Sequence, residues 1–306
     1  MLISLQVALA VLQPRFLPWR EIAGPDSSVR RPAQQDRPYK HAKRRGVYFR
    51  EMDTLAGEGL RFQFASDQSL LVYFDPLNKE GQTPDKVGTS SVRLLQSQIT
   101  LQANERVRKL LQLLQLEPVA GVRNLHPAYC SLLVKFDALR MRHKEVEAIL
   151  REYLDRVDEV KLPEARHVEI PVCYGGEYGP DLEDVCALHG ISSAQAIELH
   201  SSATYLVYFL GFVPGFAYLG ELPKELVTPR LATPRRKVPA GSVGIAGNQT
   251  GVYPFATPGG WRVIGRTPVA MFRADREELS LLSIGDRVRF TPISAERFAA
   301  LEKEWA

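Results

Sequence analysis

Residues 205–261 read YLVYFLGFVPGFAYLGELPKELVTPRLATPRRKVPAGSVGIAGNQTGVYPFATPGGW. The first six, 205–210, are a continuous apolar run of strand length. Glycine and proline punctuate everything that follows, and long loops are expected there. Working outward, 167–173 reads as a strand closed by the turn Tyr174-Gly175-Gly176. Residues 263–272, interrupted by Pro268, and 286–292 read as later strands. Asp181 precedes the apolar run LEDVCAL and is placed to N-cap a short helix ending at Gly190. Ser192 with Gln195 fits a capping box that opens a second short helix reaching about His200. Many short strands, irregular loops and few helices predict a barrel-like β domain over 165–295.

Upstream the pattern changes. Residues 61–65 and 69–74 read as two strands around a turn, and the polar stretch 75–97 as a loop. Val107, Leu110, Leu111 and Leu114 recur at helical spacing, which predicts a helix over 102–116 stopped by Pro118. Residues 121–125 and 131–136 read as strands joined through HPAY, 126–129. A second helix over 143–157 carries Val146, Ile149, Leu150, Leu154 and Val157 on one face. The order ββαββα predicts a small α+β domain over 58–160, with its helices on one face of a sheet. Lys161-Leu162-Pro163 then forms a hinge between the two domains.

Composition narrows the function classes. At roughly 100–200 residues per domain, 306 residues fit two domains. Cys130, Cys173 and Cys186 form no CxxC pair, so a disulfide scaffold is excluded and a reducing cytoplasm is expected. No apolar stretch reaches the about 18 residues of a membrane helix. The net charge is +4, but residues 14–46 hold nine Lys/Arg against three acids. The remaining body is therefore slightly acidic, which argues against nucleic-acid binding. Residues 1–12 are apolar with no basic region before them, and 14–46 are rich in Pro, Arg, Ser and Gln. Composition predicts a disordered extension over 1–46, with a targeting or membrane-surface segment as the alternative.

The candidate chemistry lies in the loops. In GFVPGFAYLG, 211–220, glycines allow close backbone approach and aromatics can wall an apolar pocket. A buried aromatic loop packing two domains together is the alternative. Thr228-Pro229-Arg230 and Thr233-Pro234-Arg235 set two arginines behind prolines, an arrangement suited to an anion or to a solvated basic turn. Asn248, Gln249 and Thr250 offer hydrogen bonds from a glycine-rich loop. His200-Ser201-Ser202 offers a base and a nucleophile, or a capped helix end; His126 is a functional group or a structural loop histidine. No nucleotide-binding fingerprint, metal-ligand spacing or nucleophile elbow is present. The candidate catalytic residues are Arg235, Arg230 and His200. The candidate substrate-binding residues are Phe212, Pro214, Phe216, Ser242, Asn248 and Gln249. No metal and no cofactor-binding residue is assigned.

The runs IPVCYGGEYGPDLEDV, ELHSSATYLVYFLGFVPGFAYLGELP, TPRLATPRRKVPAGSVGIAGNQTGVYPFATPGGWRVIGRTP and GDRVRF resemble the family of 5-oxoprolinase B subunits, also called the KipI-like family or the first subunit of allophanate hydrolase. The resemblance is dense over 165–292 and weaker over 58–160. It implies a cyclophilin-like, carboxyltransferase-type β-barrel following the α+β domain. It also implies a cytoplasmic ATP-dependent enzyme, working with its homologous C subunit and its A subunit, that opens 5-oxo-L-proline to L-glutamate. ATP would be a co-substrate, because phosphorylating the lactam oxygen creates a leaving group before water attacks. The chain shows no evident base or nucleophile, so the site is expected to be shared with a partner. Two alternatives travel with the resemblance: an inhibitor binding a sensor histidine kinase, and a carboxyltransferase component of urea or allophanate metabolism.

Overall fold

The computed structural model describes residues 59–74 and 100–304. The extension expected at 1–46 and the loop expected at 75–97 lie outside the described residues.

The first lobe holds four strands: β1 (Leu60–Ser66), β2 (Ser69–Phe74), β3 (Val122–Pro127) and β4 (Ser131–Phe136). They form one antiparallel sheet in the order β1-β2-β4-β3. Helices α1 (Leu101–Leu116) and α2 (His143–Leu154) pack on it. Thr100 caps α1, its hydroxyl accepting from Ala103 N at 3.0 Å. The helical spacing read in the sequence puts Val107, Leu110 and Leu114 into one core with Leu70, Val72, Leu132, Val134 and Leu150. The second helix stops at Leu154, short of the expected 157, and a 3₁₀ turn (Val157–Glu159) follows.

The second lobe contains β5 (His167–Tyr174), β6 (Tyr205–Leu210), β7 (Ala217–Gly220), β8 (Arg235–Val238), β9 (Ser242–Ala246), β10 (Gln249–Val252), β11 (Thr257–Gly259), β12 (Arg262–Arg266) and β13 (Arg287–Pro292). Seven of them close a barrel in the order β10-β7-β6-β13-β5-β12-β9. Within it β5 and β13 pair in parallel, and the other neighbours are antiparallel. The remaining two, β8 and β11, form a ribbon beside the barrel. Helices α3 (Leu182–His189) and α4 (Ser193–Ser202) connect β5 to β6, and α5 (Ala295–Glu304) follows β13. Gly190 ends α3 in the left-handed conformation, φ 65°, and the Ser192–Gln195 capping box opens α4.

The Gly/Pro stretch read as loop contains five strands, β7 to β11. Four of its glycines, Gly220, Gly244, Gly251 and Gly259, are strand residues with close neighbours: Gly251 abuts the Phe216 and Trp261 rings, and Gly244 the Trp261 and Tyr253 side chains. The strand expected over 263–272 ends at Arg266, before Pro268. The terminal helix α5 lies beyond the elements expected from the sequence.

The lobes meet along α1. The buried Asn104 amide donates to Tyr129 O at 3.1 Å in the first lobe and to Tyr208 O at 3.3 Å in the second. The Arg108 guanidinium lies against Gly285, where φ is 94° and a Cβ would collide with it. Ile284 reaches from the barrel into the first lobe's core.

Candidate functional site

The β6–β7 connection is a tight loop closed by Gly211 N to Phe216 O at 3.0 Å. Phe212 sits in it at φ 71°, a left-handed conformation that is energetically costly for a residue bearing a side chain. Gly215, at φ 80°, lies against the Met271 backbone and the Phe272 Cβ. This path drives the Phe216 ring inward, 4.9 Å from Tyr218, 5.4 Å from Tyr253 and 5.6 Å from Trp261. Phe212 stands edge-on to Phe216 at 5.5 Å, while Pro214 is exposed.

The wall continues across the lobes. Phe209 and Tyr218 stack at 4.4 Å. Tyr129, from the β3–β4 turn, sets its ring against Phe209 at 4.8 Å, Tyr208 at 5.3 Å and Tyr218 at 5.9 Å. Of the two readings of this loop, the packing one is seen: Tyr218 sets its ring against Tyr129 of the first lobe, within a line of aromatic rings.

Arg230 is exposed, on the segment that the Gly247–Thr228 bond ties to the β9–β10 turn. Burial pushes the Tyr129, Tyr218 and Tyr253 hydroxyls up, Tyr253 to about 12, and the Arg230 charge opposes the rise in all three. An exposed cation whose charge is felt by three buried phenols can hold the anionic end of a small molecule whose body is apolar.

Arg235 is differently employed. Its Nη1 and Nη2 donate to the two oxygens of Asp181 at 2.8 and 2.5 Å. Asp181 also accepts from Val263 N at 2.6 Å and is buried. Its side chain makes no cap bond to α3; the expected N-cap residue instead ties β8 to β12. The fork expected to meet an anion therefore already holds an internal carboxylate.

His200 lies in the barrel core, apart from the arginines. It is fully buried and stacks on Phe290 at 4.6 Å. The Thr250 hydroxyl donates to Gly244 O at 3.1 Å, so it accepts from His200 Nε2 at 2.9 Å. Nδ1 is then the acceptor for the Tyr174 hydroxyl at 2.7 Å. Burial lowers the imidazole pKa to about 3. Both ring nitrogens are satisfied, and the group is a neutral core link. Ser201 is buried and Ser202 exposed, on either side of the helix end.

Ser242 is buried on β9. Asn248 forms the β9–β10 turn after Gly247 (φ 57°), its carbonyl accepting from Leu222 N at 2.9 Å, and Gln249 begins β10 half-buried. The bond from Gly247 N to Thr228 O at 2.7 Å sets this turn beside the segment leading to Arg230. His126 is on β3 opposite Leu133, and burial lowers its pKa. Sequence reasoning missed Tyr129, Tyr253 and Trp261 as wall residues and Asp181 as the partner of Arg235.

The chain is similar to known proteins. The family model for the carboxyltransferase domain, subdomain C and D, matches residues 83–282. The chain is 40% identical over 231 residues to the B subunit of 5-oxoprolinase from Bacillus subtilis, spanning 72% of this chain and 96% of that protein. It is 46% identical over 212 residues to the B subunit of 5-oxoprolinase from Escherichia coli O157:H7, spanning 67% and 94%. Among solved structures it resembles TTHA0988, with TM-score 0.58 and 33% identity, over 74% of this chain but only 40% of that one. It also shares a fold with the urea carboxylase of Kluyveromyces lactis, with TM-score 0.62 and 17% identity, over 80% of this chain and 23% of that one.

Proposed function

Because the chain belongs to the family of 5-oxoprolinase B subunits, we propose that it is one component of an ATP-dependent 5-oxoprolinase that opens 5-oxo-L-proline to L-glutamate. The observation that supports this reading is the exposed Arg230, whose charge acts on Tyr218 of the Phe209–Tyr218–Phe216 wall. 5-Oxo-L-proline is a flat ring with a carboxylate at one side. Aromatic faces suit the ring, and a guanidinium suits the carboxylate.

The chain is one part of the enzyme. Its buried histidine, His200, is already engaged, and one of its two candidate arginines, Arg235, is paired. Activation by ATP and attack by water therefore draw on the homologous C subunit and the A subunit of the assembly. In TTHA0988 and in urea carboxylase the matching unit is a fraction of a longer chain, which favours obligatory neighbours here. We read the barrel as a cyclophilin-like fold and the two lobes as separate domains. Cys130, Cys173 and Cys186 are buried, in keeping with a reducing cytoplasm. No helix among the described residues is long and apolar enough to cross a membrane.

Reconstitution tests the proposal. The purified protein by itself should show no ATP hydrolysis dependent on 5-oxo-L-proline. Mixing it with the C and A subunits should produce that hydrolysis together with L-glutamate. A mixture that hydrolyses no ATP in response to 5-oxo-L-proline would refute it.

A further inference from the structure

Helix α3 holds the segment that carries Arg230 from both of its ends. Just before the helix, Asp181 accepts from Arg235 Nη1 and Nη2 at 2.8 and 2.5 Å. At its last residue, His189 Nε2 lies 2.9 Å from Thr228 Oγ1. The Thr228 hydroxyl donates to Leu226 O at 2.9 Å, so it accepts from His189 Nε2–H. Thr228 is fully buried, and its carbonyl accepts from Gly247 N at 2.7 Å. One helix thus grips residues 228 and 235, with Arg230 between them.

Between these anchors the segment has little packing to hold it. Residues 229, 230, 232, 233 and 234 are exposed, and 229–234 form neither helix nor strand. Leu231 N donates to Gly260 O at 2.8 Å, which ties the middle of the segment to the end of the β8–β11 ribbon. A helix rises about 12 Å over the eight steps from Asp181 to His189. The seven steps from Thr228 to Arg235 could span about 24 Å if extended. The segment therefore has slack that its end anchors take up, and Pro229 and Pro234, just inside them, restrict its path further. The helix is itself fixed, because Leu182, Val185 and Cys186 are buried in the barrel core.

On the footing of Arg230 as the group that meets the substrate carboxylate, we infer that α3 is its brace: Asp181 and His189 are positioning residues that set where a small carboxylate-bearing lactam is held. Neither touches the substrate. They keep the segment ordered before the carboxylate arrives, so that less ordering is left to be done on binding. Arg235 gains a role in the same way, since its ion pair holds one end of the segment that presents Arg230. His189 is the sharper probe of the two, because it is half-buried at a helix end, whereas Asp181 is buried.

The test follows 5-oxo-L-proline-dependent ATP hydrolysis by the reconstituted assembly carrying His189→Ala, His189→Leu, His189→Gln, Arg230→Ala, or His189→Ala together with Arg230→Ala. His189→Ala should lower kcat/KM for 5-oxo-L-proline at least about fivefold and leave KM for ATP within about twofold. His189→Leu, which keeps bulk but cannot donate, should match it. His189→Gln, whose amide can still donate to Thr228, should recover most of the loss. In the Arg230→Ala background, His189→Ala should change kcat/KM by less than about twofold, because the group it positions is gone. Wild-type kcat/KM in His189→Ala and His189→Leu, beside a lowered value in Arg230→Ala, would overturn the brace and leave the reading of Arg230 standing. Losses that multiply in the double variant, or that fall equally on ATP and 5-oxo-L-proline, would mark a general structural defect and would also overturn it. Arg230→Ala within twofold of wild type, or an assembly that hydrolyses no ATP in response to 5-oxo-L-proline, would refute the reading of Arg230 and the brace with it.

Discussion

Arg235 and Asp181 form a two-pronged ion pair across the outside of the barrel, with the carboxylate 3% exposed and the guanidinium 31% exposed. The same carboxylate takes Val263 N–H, so one side chain joins β8, the start of α3 and β12. Removing one partner leaves the other without its counter-charge in a place water reaches poorly.

Asp181→Asn and Arg235→Ala should each lower unfolding stability by about 2 kcal/mol, less than a fully buried pair because Arg235 is partly solvated. The double variant should show a coupling above about 1 kcal/mol. Urea denaturation of the four proteins measures it. A coupling under about 0.5 kcal/mol would make the pair an ordinary surface contact.

His200 should make stability depend on pH. Burial holds its folded-state pKa near 3, against 6.5 for the exposed imidazole. Its neutral form is therefore favoured in the fold, and stability is lost as pH falls below 6.5. The loss from this group should be about 2 kcal/mol between pH 8 and pH 5. The imidazole nitrogen chemical shifts should stay those of the neutral Nε2–H tautomer throughout. A His200 titration midpoint near 6.5 in the folded protein would contradict the buried Tyr174–His200–Thr250 chain.

Two glycines with positive φ should respond differently to alanine. At Gly215 a Cβ would stand 2.7 Å from Phe272 Cβ and 3.0 Å from Met271 O. At Gly247 it would meet nothing within 4 Å. Gly247→Ala should cost about 1 kcal/mol, from the left-handed backbone alone. Gly215→Ala should cost at least about 2 kcal/mol, clash added to backbone, and should displace Phe216, visible as a changed near-ultraviolet circular dichroism signal. Equal costs would mean that the aromatic loop is not held against 271–272.

Elements that bury one face were legible. The spacing of Val107, Leu110 and Leu114 and the apolar run of β6 gave helix and strand directly, since each has a single solution for hiding its side chains. The strands β7 to β11 were hidden because glycine does two jobs. In β9, SVGIA, every residue is buried and Gly244 makes room for Trp261 and Tyr253, yet glycine read locally signals a turn. The site was half legible for a related reason. Phe212, Phe216 and Arg230 are close in sequence, whereas Tyr129 joins Phe209 and Tyr218 from the other lobe, some eighty residues earlier in the chain. Asp181 stood in a capping position, and nothing local reveals that its carboxylate points to Arg235 instead. The resemblance identified the family but did not separate the paired arginine from Arg230.

Arg230 decides the central claim. In the reconstituted assembly, 5-oxo-L-proline-dependent ATP hydrolysis is measured for wild type, Arg230→Ala and Arg230→Lys. Exposed Arg230 should be removable with a stability change within ~0.5 kcal/mol. Arg230→Ala should nevertheless lower kcat/KM at least about 30-fold, a loss of roughly 2 kcal/mol of binding to the reacting molecule. Arg230→Lys should recover little, because a point charge does not reproduce the planar two-donor fork. An Arg230→Ala assembly that forms normally and turns over within twofold of wild type would contradict the placement of the substrate at this wall.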